Sequence, residues 1–124
     1  MQDKLKNKRA LLRQKIATSI VAVKLMGGFG NQMFQFAAAL ALALNHKAKL
    51  KLDLSFLMDQ TPRPNFTHCD YELDAFFLVQ DCEAFSDFGM LDQLSLQRHV
   101  ETGLQFDSTF FRLPPNVYLE GYWQ

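Results

Sequence analysis

The stretch from residue 20 to residue 44 reads IVAVKLMGGFGNQMFQFAAALALAL. It predicts a buried strand from Ile20 to Met26, a glycine-rich turn, and an apolar helix from about Gln32 to Leu44. Nearly every helix position is apolar, so we expect the helix to be covered on most sides rather than along one stripe. Phe34 and Phe36 are expected in the core, because helical aromatic residues usually pack.

A second strand follows the helix. Residues 49–54 read KLKLDL, an alternation that places leucines on one strand face and charged side chains on the other. Strand, helix and strand at this spacing predict a right-handed βαβ unit in a parallel sheet, an α/β fold of Rossmann-like type. Asp53 closes the second strand at its carboxyl end, where such folds place ligands.

The rest of the chain carries weaker signals. The patterns predict a loop at 58–65, a short apolar element at 71–79, a mixed helix at 82–96, mostly irregular chain at 97–116 and a last strand at 117–123. Because the chain then stops without a closing helix, we expect a truncated domain.

Charge divides the chain into two parts. Residues 1–15 hold six basic side chains and one acidic one, which leaves seven basic and twelve acidic side chains for the remainder. An acidic body does not suit a nucleic-acid surface. We therefore expect a basic N-terminal extension at 1–18 and a domain at 19–124. The segment Lys4 to Lys15 predicts either a solvated, frayed extension or a basic amphipathic helix in peripheral contact with a membrane.

Neither cysteines nor histidines predict a metal site. Cys69 and Cys82 form no disulfide framework and no zinc set, and they fit a reduced cytoplasmic protein. His46, His68 and His99 have no partners at ligand spacing, so we expect surface or loop positions for them and no metal. No apolar run reaches the ~20 residues that a membrane span requires.

The glycine turn is the clearest candidate site. Gly27, Gly28 and Gly30 permit positive φ and let a ligand approach main-chain N–H groups, and the following helix supplies a positive dipole end, typical of a phosphate site. No Gly-Lys-Ser/Thr of a P-loop follows. Gly28 and Gly30 with Asp53 fit part of the dinucleotide fingerprint, but Met33 replaces its third glycine and would obstruct close helix packing. A non-catalytic dinucleotide-type module and a fold remnant with a ligand-free turn stay as alternatives.

The sequence of this turn also resembles a known family. Residues 27–36, GGFGNQMFQF, resemble the N-terminal signature of glycosyltransferase family 11, the α-1,2-fucosyltransferases, whose pattern is Gly-Gly-Leu-Gly-Asn-Gln-Leu/Met-Phe-Gln-Tyr. LDLSF at 52–56, YELDAF at 71–76 and LEGYWQ at 119–124 extend the resemblance along residues 20–124. The family's donor-binding motif His-x-Arg-Arg-x-Asp is absent from this chain.

The resemblance implies the N-terminal domain of a two-domain, GT-B-like enzyme whose second, GDP-binding domain is missing. Such an enzyme moves L-fucose from GDP-fucose to the 2-hydroxyl of a galactose-type acceptor with inversion, without a metal or cofactor, in surface glycan synthesis. The implied location is cytoplasmic, or peripheral on the cytoplasmic membrane face. We expect the chain alone to be inactive, because it lacks the basic residues that neutralise the departing GDP.

The resemblance also implies site residues. In related fucosyltransferases the matching turn faces the donor, which implies substrate-binding roles for Gly28, Gly30, Asn31 and Gln32. Main-chain amides here and the Asn31 carboxamide are suited to stabilise the charge that develops on the β-phosphate. Gln32 has the alternative of capping the helix.

An inverting transfer also needs a general base on the acceptor hydroxyl. The candidates are Asp53, Asp70, Glu72 and Glu120, and position favours Asp53. The alternation of Asp70, Glu72 and Asp74 is more typical of solvated carboxylates than of a metal cluster.

The aromatic residues of the last strand leave two interpretations open. Tyr118, Tyr122 and Trp123 predict either a platform for sugar stacking or core side chains.

Overall fold

The computed structural model describes residues 19–62, 64, 68–73, 82–86, 95–102 and 108–123. Its elements are β1 (Ile20–Lys24), α1 (Phe29–His46), β2 (Lys49–Asp53), the single turn α2 (Ser55–Met58), β3 (Glu83–Phe85), β4 (Gln97–Val100), a 3₁₀ helix (Ser108–Arg112) and β5 (Val117–Glu120). The strands form one parallel sheet in the order β3–β2–β1–β5–β4. The α/β class and the Rossmann-like arrangement are therefore confirmed.

The βαβ unit at the start of the domain is as predicted. β1 and β2 pair in parallel from Ile20 opposite Lys49 to Lys24 opposite Asp53. The alternating pattern of β2 buries Leu50 and Leu52, and it buries Asp53 as well.

Helix α1 begins earlier than the predicted Gln32. Gly28 is its N-cap residue, with φ −79°, and the helix starts at Phe29, so Gly30 lies inside the first turn. The Gln32 N–H donates to the Gly28 carbonyl at 3.0 Å, which closes the first helical hydrogen bond. A glycine lowers helix propensity without preventing helix formation, and the sequence therefore read as a longer turn. At the other end Lys47 adopts a left-handed conformation with φ 52° and ends the helix.

The prediction that α1 is covered on most sides is wrong. Its buried residues are Gln32, Gln35, Phe36, Ala39, Leu42 and Ala43. The other side leaves four large apolar side chains exposed, Phe29 by 40%, Met33 by 41%, Phe34 by 51% and Leu44 by 70%. Phe36 is in the core as expected, whereas Phe34 is not. Apolar side chains are buried only where another element packs against them. No other described element packs on this side of α1.

The sheet has one apolar face and one charged face. Val21, Val23, Leu52, Val117 and Leu119 belong to the core cluster, together with buried residues of α1 and Phe110 of the 3₁₀ helix. Successive residues of a strand point to opposite faces. The intervening positions therefore form a second face, which carries Lys24, Lys51, Asp53, Tyr118 and Glu120.

The later elements correct two predictions. Within the predicted helix 82–96, Glu83–Phe85 form β3 beside β2, and residues 87–94 lie outside the described part. The segment 97–116, predicted irregular, contains β4 and the 3₁₀ helix. Both missed strands are short, and three of the four β4 residues are exposed, so no apolar periodicity marked them.

The remaining predictions fall partly on described residues. The last strand is confirmed as Val117–Glu120. Irregular chain follows α2 from residue 59, as expected for the loop at 58–65, although residues 63 and 65–67 lie outside the description. The basic extension 1–18 and most of the apolar element at 71–79 also lie outside the described residues. In the part that is described, no helix has the length and apolar character to cross a membrane.

Candidate functional site

The turn between β1 and α1 needs a glycine at one position. Gly27 has φ +78°, and a Cβ there would lie 2.6 Å from Asn31 Nδ2. The Asn31 side chain therefore packs directly over Gly27. Gly28 and Gly30 do not use the positive φ that glycine permits, and a Cβ on either would meet no described atom within 4 Å.

The N-terminus of α1 has no side-chain cap. In the described part of the chain no side chain caps it through a hydrogen bond, and its first turn contains no acidic residue. Among the described residues, no atom lies within 4 Å of a Cβ placed on Gly28 or Gly30, which leaves this side of the first turn open to an incoming group. Because a helix N-terminus carries the positive end of the helix dipole, this geometry suits an anion such as phosphate.

Gln32 is fully buried and does not cap the helix. Its Nε2 donates to the carbonyls of Gly27 at 2.9 Å and Asp70 at 2.7 Å. Its Oε1 accepts the Glu72 N–H at 3.0 Å. The side chain thus joins the glycine turn to the loop 70–72. Its predicted role in substrate binding stays a prediction, as do those of Gly28, Gly30 and Asn31.

Gln35, one turn along the helix, forms a similar but purely local clamp. It is also fully buried. Its Oε1 accepts the Met26 N–H and its Nε2 donates to the Met26 carbonyl, both at 3.0 Å. The Gln35 amide therefore pairs with the Met26 backbone as the backbone of a neighbouring strand would.

Asp53 lies at the carboxyl end of β2 and is fully buried. One carboxylate oxygen accepts the Ser55 N–H at 2.9 Å, and the other accepts the Tyr118 hydroxyl at 2.6 Å. Burial, and after it the neighbouring Asp53 carboxylate, raise the pKa of Tyr118. The hydrogen bond from Tyr118 to Asp53 thus links β5 to β2. The role of Asp53 as general base stays a prediction.

The other candidate bases differ in their surroundings. Glu120 accepts hydrogen bonds from Lys24 at 2.9 Å and from Arg98 at 2.6 Å. Burial acts to raise the pKa of Glu120, but these two cations outweigh it and leave that pKa below its ordinary value. Asp70 and Glu72 are exposed, on the loop that Gln32 holds against the turn.

The aromatic residues near the last strand do not form one exposed platform. Tyr118 is buried, whereas Tyr122 is exposed. Trp123 packs against Phe110, with ring centroids 5.1 Å apart, and stacks on His99 at 5.9 Å. The core interpretation therefore holds for Tyr118, and Trp123 packs against the core.

A histidine and a methionine also differ from expectation. His46 belongs to the last turn of α1, is half-buried, and donates to the Leu113 carbonyl at 2.6 Å. Met33 is exposed and does not obstruct the packing of α1 on the sheet. The objection that Met33 obstructs helix packing therefore no longer counts against the dinucleotide-type alternative. Asp53, which would bind the ribose in that alternative, is buried, and both of its carboxylate oxygens accept hydrogen bonds.

Two further features lie apart from the turn. Across the described ranges, no group of three or more His, Cys, Asp or Glu side chains is placed to hold a metal ion. An open cavity of about 430 Å³ lies between the last turns of α1 and the start of β2, lined by residues such as Leu44, Leu50 and Cys82. It is at the opposite end of α1 from the glycine turn.

Comparison with known proteins gives one informative match. The chain is 37% identical over 65 residues to an α-1,2-colitosyltransferase of Escherichia coli. The match covers 52% of this chain and 22% of that protein. No family model matches the chain, and no solved structure matches it significantly. The similarity supports a relationship with a glycosyltransferase, and membership of family 11 stays a prediction.

Proposed function

We propose that this chain is the N-terminal domain of a glycosyltransferase that moves L-fucose from GDP-fucose to the 2-hydroxyl of a galactose-type acceptor, with inversion, and that its glycine turn faces the donor. The observation that carries the proposal is the start of α1, where no side-chain cap and no atom within 4 Å of a Cβ at Gly28 or Gly30 occurs among the described residues. The similarity to a sugar transferase supports the same class of reaction.

The turn has a defined part in this reaction. When GDP leaves the sugar, negative charge develops on the β-phosphate, and preorganised donors aimed at that charge lower the barrier. Backbone amides of the first turn of α1 and the Asn31 carboxamide are such donors. One donor of this kind is typically worth about 2.7–4 kcal/mol of transition-state stabilisation. The α1 dipole adds about 0.3–1 kcal/mol for an anion at its positive end.

The proposal leaves other parts of the reaction to groups beyond the described turn. We propose that a second domain supplies the cations that neutralise the departing GDP during transfer, whereas the glycine turn binds the diphosphate of the donor without them, and that no metal or cofactor takes part. We also propose a cytoplasmic location, with the segment Lys4 to Lys15 as the contact for a peripheral position on the cytoplasmic membrane face.

The sugar of the donor has a second candidate. The match to an α-1,2-colitosyltransferase makes a colitosyl nucleotide the alternative to GDP-fucose. In this proposal the turn would hold the phosphates of either donor.

The test is ligand protection against thermal unfolding of the 124-residue chain. A ligand that binds only the folded state at 100 times its Kd stabilises it by about 2.7 kcal/mol. We expect GDP-fucose to protect and NAD not to protect. Protection by NAD without protection by GDP-fucose or GDP would favour the dinucleotide-type module and contradict the transferase proposal.

A further inference from the structure

Two buried glutamines of α1 form a natural comparison. Gln32 and Gln35 have the same chemistry, are both fully buried, and lie on adjacent positions of the helix face that packs on the sheet. Both hydrogen bonds of Gln35 return to Met26. Gln32 instead reaches residues 38 and 40 positions away, Asp70 and Glu72, while it also holds Gly27.

The Gln32 side chain uses both of its N–H donors in this bridge. An amide side chain has two N–H donors, and both are committed to carbonyls, one on the turn and one on the loop. A buried amide left without partners is costly, so the side chain, the turn and the loop hold one another in place. The backbone of loop 70–72 is therefore fixed beside the start of α1.

The loop 70–72 carries two carboxylate side chains that make no polar contact with the described residues. Asp70 and Glu72 are exposed, and neither carboxylate has a hydrogen bond or ion pair in the described part of the chain. Their main-chain groups, by contrast, are held by Gln32. Ionised carboxylates are strong acceptors for hydroxyl donors, which sugars carry in number.

We propose that Gln32 is a positioning residue that makes loop 70–72 the sugar-binding wall of the site at the glycine turn. The turn binds the diphosphate of a nucleotide sugar, and the Asp70 and Glu72 carboxylates accept hydrogen bonds from the sugar hydroxyls. Gln32 keeps these two parts in register. The inference rests on the proposed function and adds a determinant of sugar recognition to it.

The experiment compares the Kd values of GDP and GDP-fucose for the 124-residue chain, measured by titration calorimetry. Their ratio isolates the contribution of the sugar. We expect Asp70→Asn and Glu72→Gln each to lower the preference for GDP-fucose by about tenfold, the effect of losing one hydrogen bond to a charged group, and not to weaken the binding of GDP, because each removes a negative charge beside the diphosphate. Both positions are exposed, so these variants should fold. Glu83→Gln, an exposed carboxylate on β3, is the control and should leave the ratio unchanged.

The positioning role is tested with a matched pair. Gln32→Met and Gln35→Met each remove a buried amide, and both should lower the thermal midpoint. Only Gln32→Met should also lower the preference for GDP-fucose. Because Gln32→Met has a risk of not folding, the two exposed variants decide the proposal in that case.

The outcomes separate the two levels of the proposal. If the unaltered chain binds GDP and GDP-fucose and the ratio survives in the Asp70 and Glu72 variants, the inference is wrong and the proposed function stands. If a folded Gln32→Met variant keeps the ratio, Gln32 is not a positioning residue. If the unaltered chain binds neither compound, the proposed function fails and the inference fails with it.

Discussion

The Tyr118 hydroxyl donates a 2.6 Å hydrogen bond to Asp53 Oδ2 across an intervening strand. Tyr118 belongs to β5 and Asp53 to β2, and β1 lies between them in the sheet. The β1 residue in register with Tyr118 is Ala22, whose small side chain leaves room for the ring. One buried bond therefore links residues 65 positions apart and ties the end of the domain to its first βαβ unit.

Removing this bond should destabilise the fold. Tyr118→Phe leaves one oxygen of the buried Asp53 carboxylate without its donor, and hydrogen bonds to charged groups contribute about 1.5–3 kcal/mol. We expect the free energy of unfolding to fall by that amount in urea denaturation. Tyr122→Phe is the control, because Tyr122 is exposed and its hydroxyl makes no such bond to the described residues. An equal loss in both variants would contradict the structural role of the Tyr118 hydroxyl.

Alkaline pH should weaken the same contact. The pKa of Tyr118 is raised in the folded protein from the ordinary value of 10.0, first by burial and then by Asp53. A group with a raised folded pKa contributes stability that is fully present below the unfolded pKa and is lost as the pH rises above it. We therefore expect stability to fall above pH about 10, and to fall less in Tyr118→Phe. Urea midpoints measured between pH 8 and 11 would show it.

Acid should act on Glu120 in the opposite sense. The pKa of Glu120 lies below 4.5, since hydrogen bonds and charge from Lys24 and Arg98 outweigh the effect of burial. A lowered folded pKa contributes stability above the unfolded pKa, which is lost as the pH falls through the folded one. We expect the stability of Glu120→Gln to respond less than that of the unaltered chain between pH 5 and pH 3. Parallel curves for the two proteins would show that this carboxylate contributes nothing.

The glycines of the turn should separate folding from ligand binding. Gly27→Ala forces a Cβ into a left-handed conformation and against Asn31, and we expect a loss of more than about 1 kcal/mol. In Gly28→Val the new Cβ meets no described atom within 4 Å, so the expected cost is that of a poorer N-cap residue, about 1 kcal/mol, and the protein should still fold. The valine side chain covers the start of α1, and protection by GDP-fucose in thermal unfolding should disappear. Full protection in Gly28→Val would place the ligand elsewhere.

The exposed apolar side of α1 should promote self-association. Met33, Phe34 and Leu44 leave 41%, 51% and 70% of their surfaces exposed along one helix. Apolar patches of this kind favour association. We expect concentration-dependent sedimentation of the chain, reduced in Leu44→Lys and unchanged in Gln97→Lys, an exposed position on β4. A monodisperse monomer at high concentration would contradict this expectation.

Local patterns were sufficient for part of the fold. The apolar run of β1 and the alternation in β2 each satisfied a period that a buried strand imposes, so the βαβ unit and the parallel sheet were predictable. β3 and β4 were not, because short and largely exposed strands carry no such period. The first turn of α1 was missed because glycine is typical of turns, although it is tolerated at the start of a helix.

The candidate site was predictable in its backbone and not in its side chains. The glycine pattern marked the helix N-terminus, a local feature of the sequence. The tasks of Gln32 and Asp53 depend on partners at Asp70, Glu72 and Tyr118, far along the chain. Polar residues read from sequence as ligand contacts were already engaged by the fold, and no local pattern reports such distant pairings.

The charged side of the sheet restricts what can cover it. A purely apolar helix placed over Asp53, Lys24 and Glu120 would strand ionised groups away from water, at a cost that packing alone does not offset. The segment that does lie there follows this restriction: α2 offers a main-chain N–H from Ser55 to Asp53, and the Phe56 ring lies 4.8 Å from Lys24 Nζ. Any further polypeptide that packs on this side must likewise supply hydrogen-bonding or π-electron partners. Its polar residues should therefore lie on the face that is turned toward the sheet.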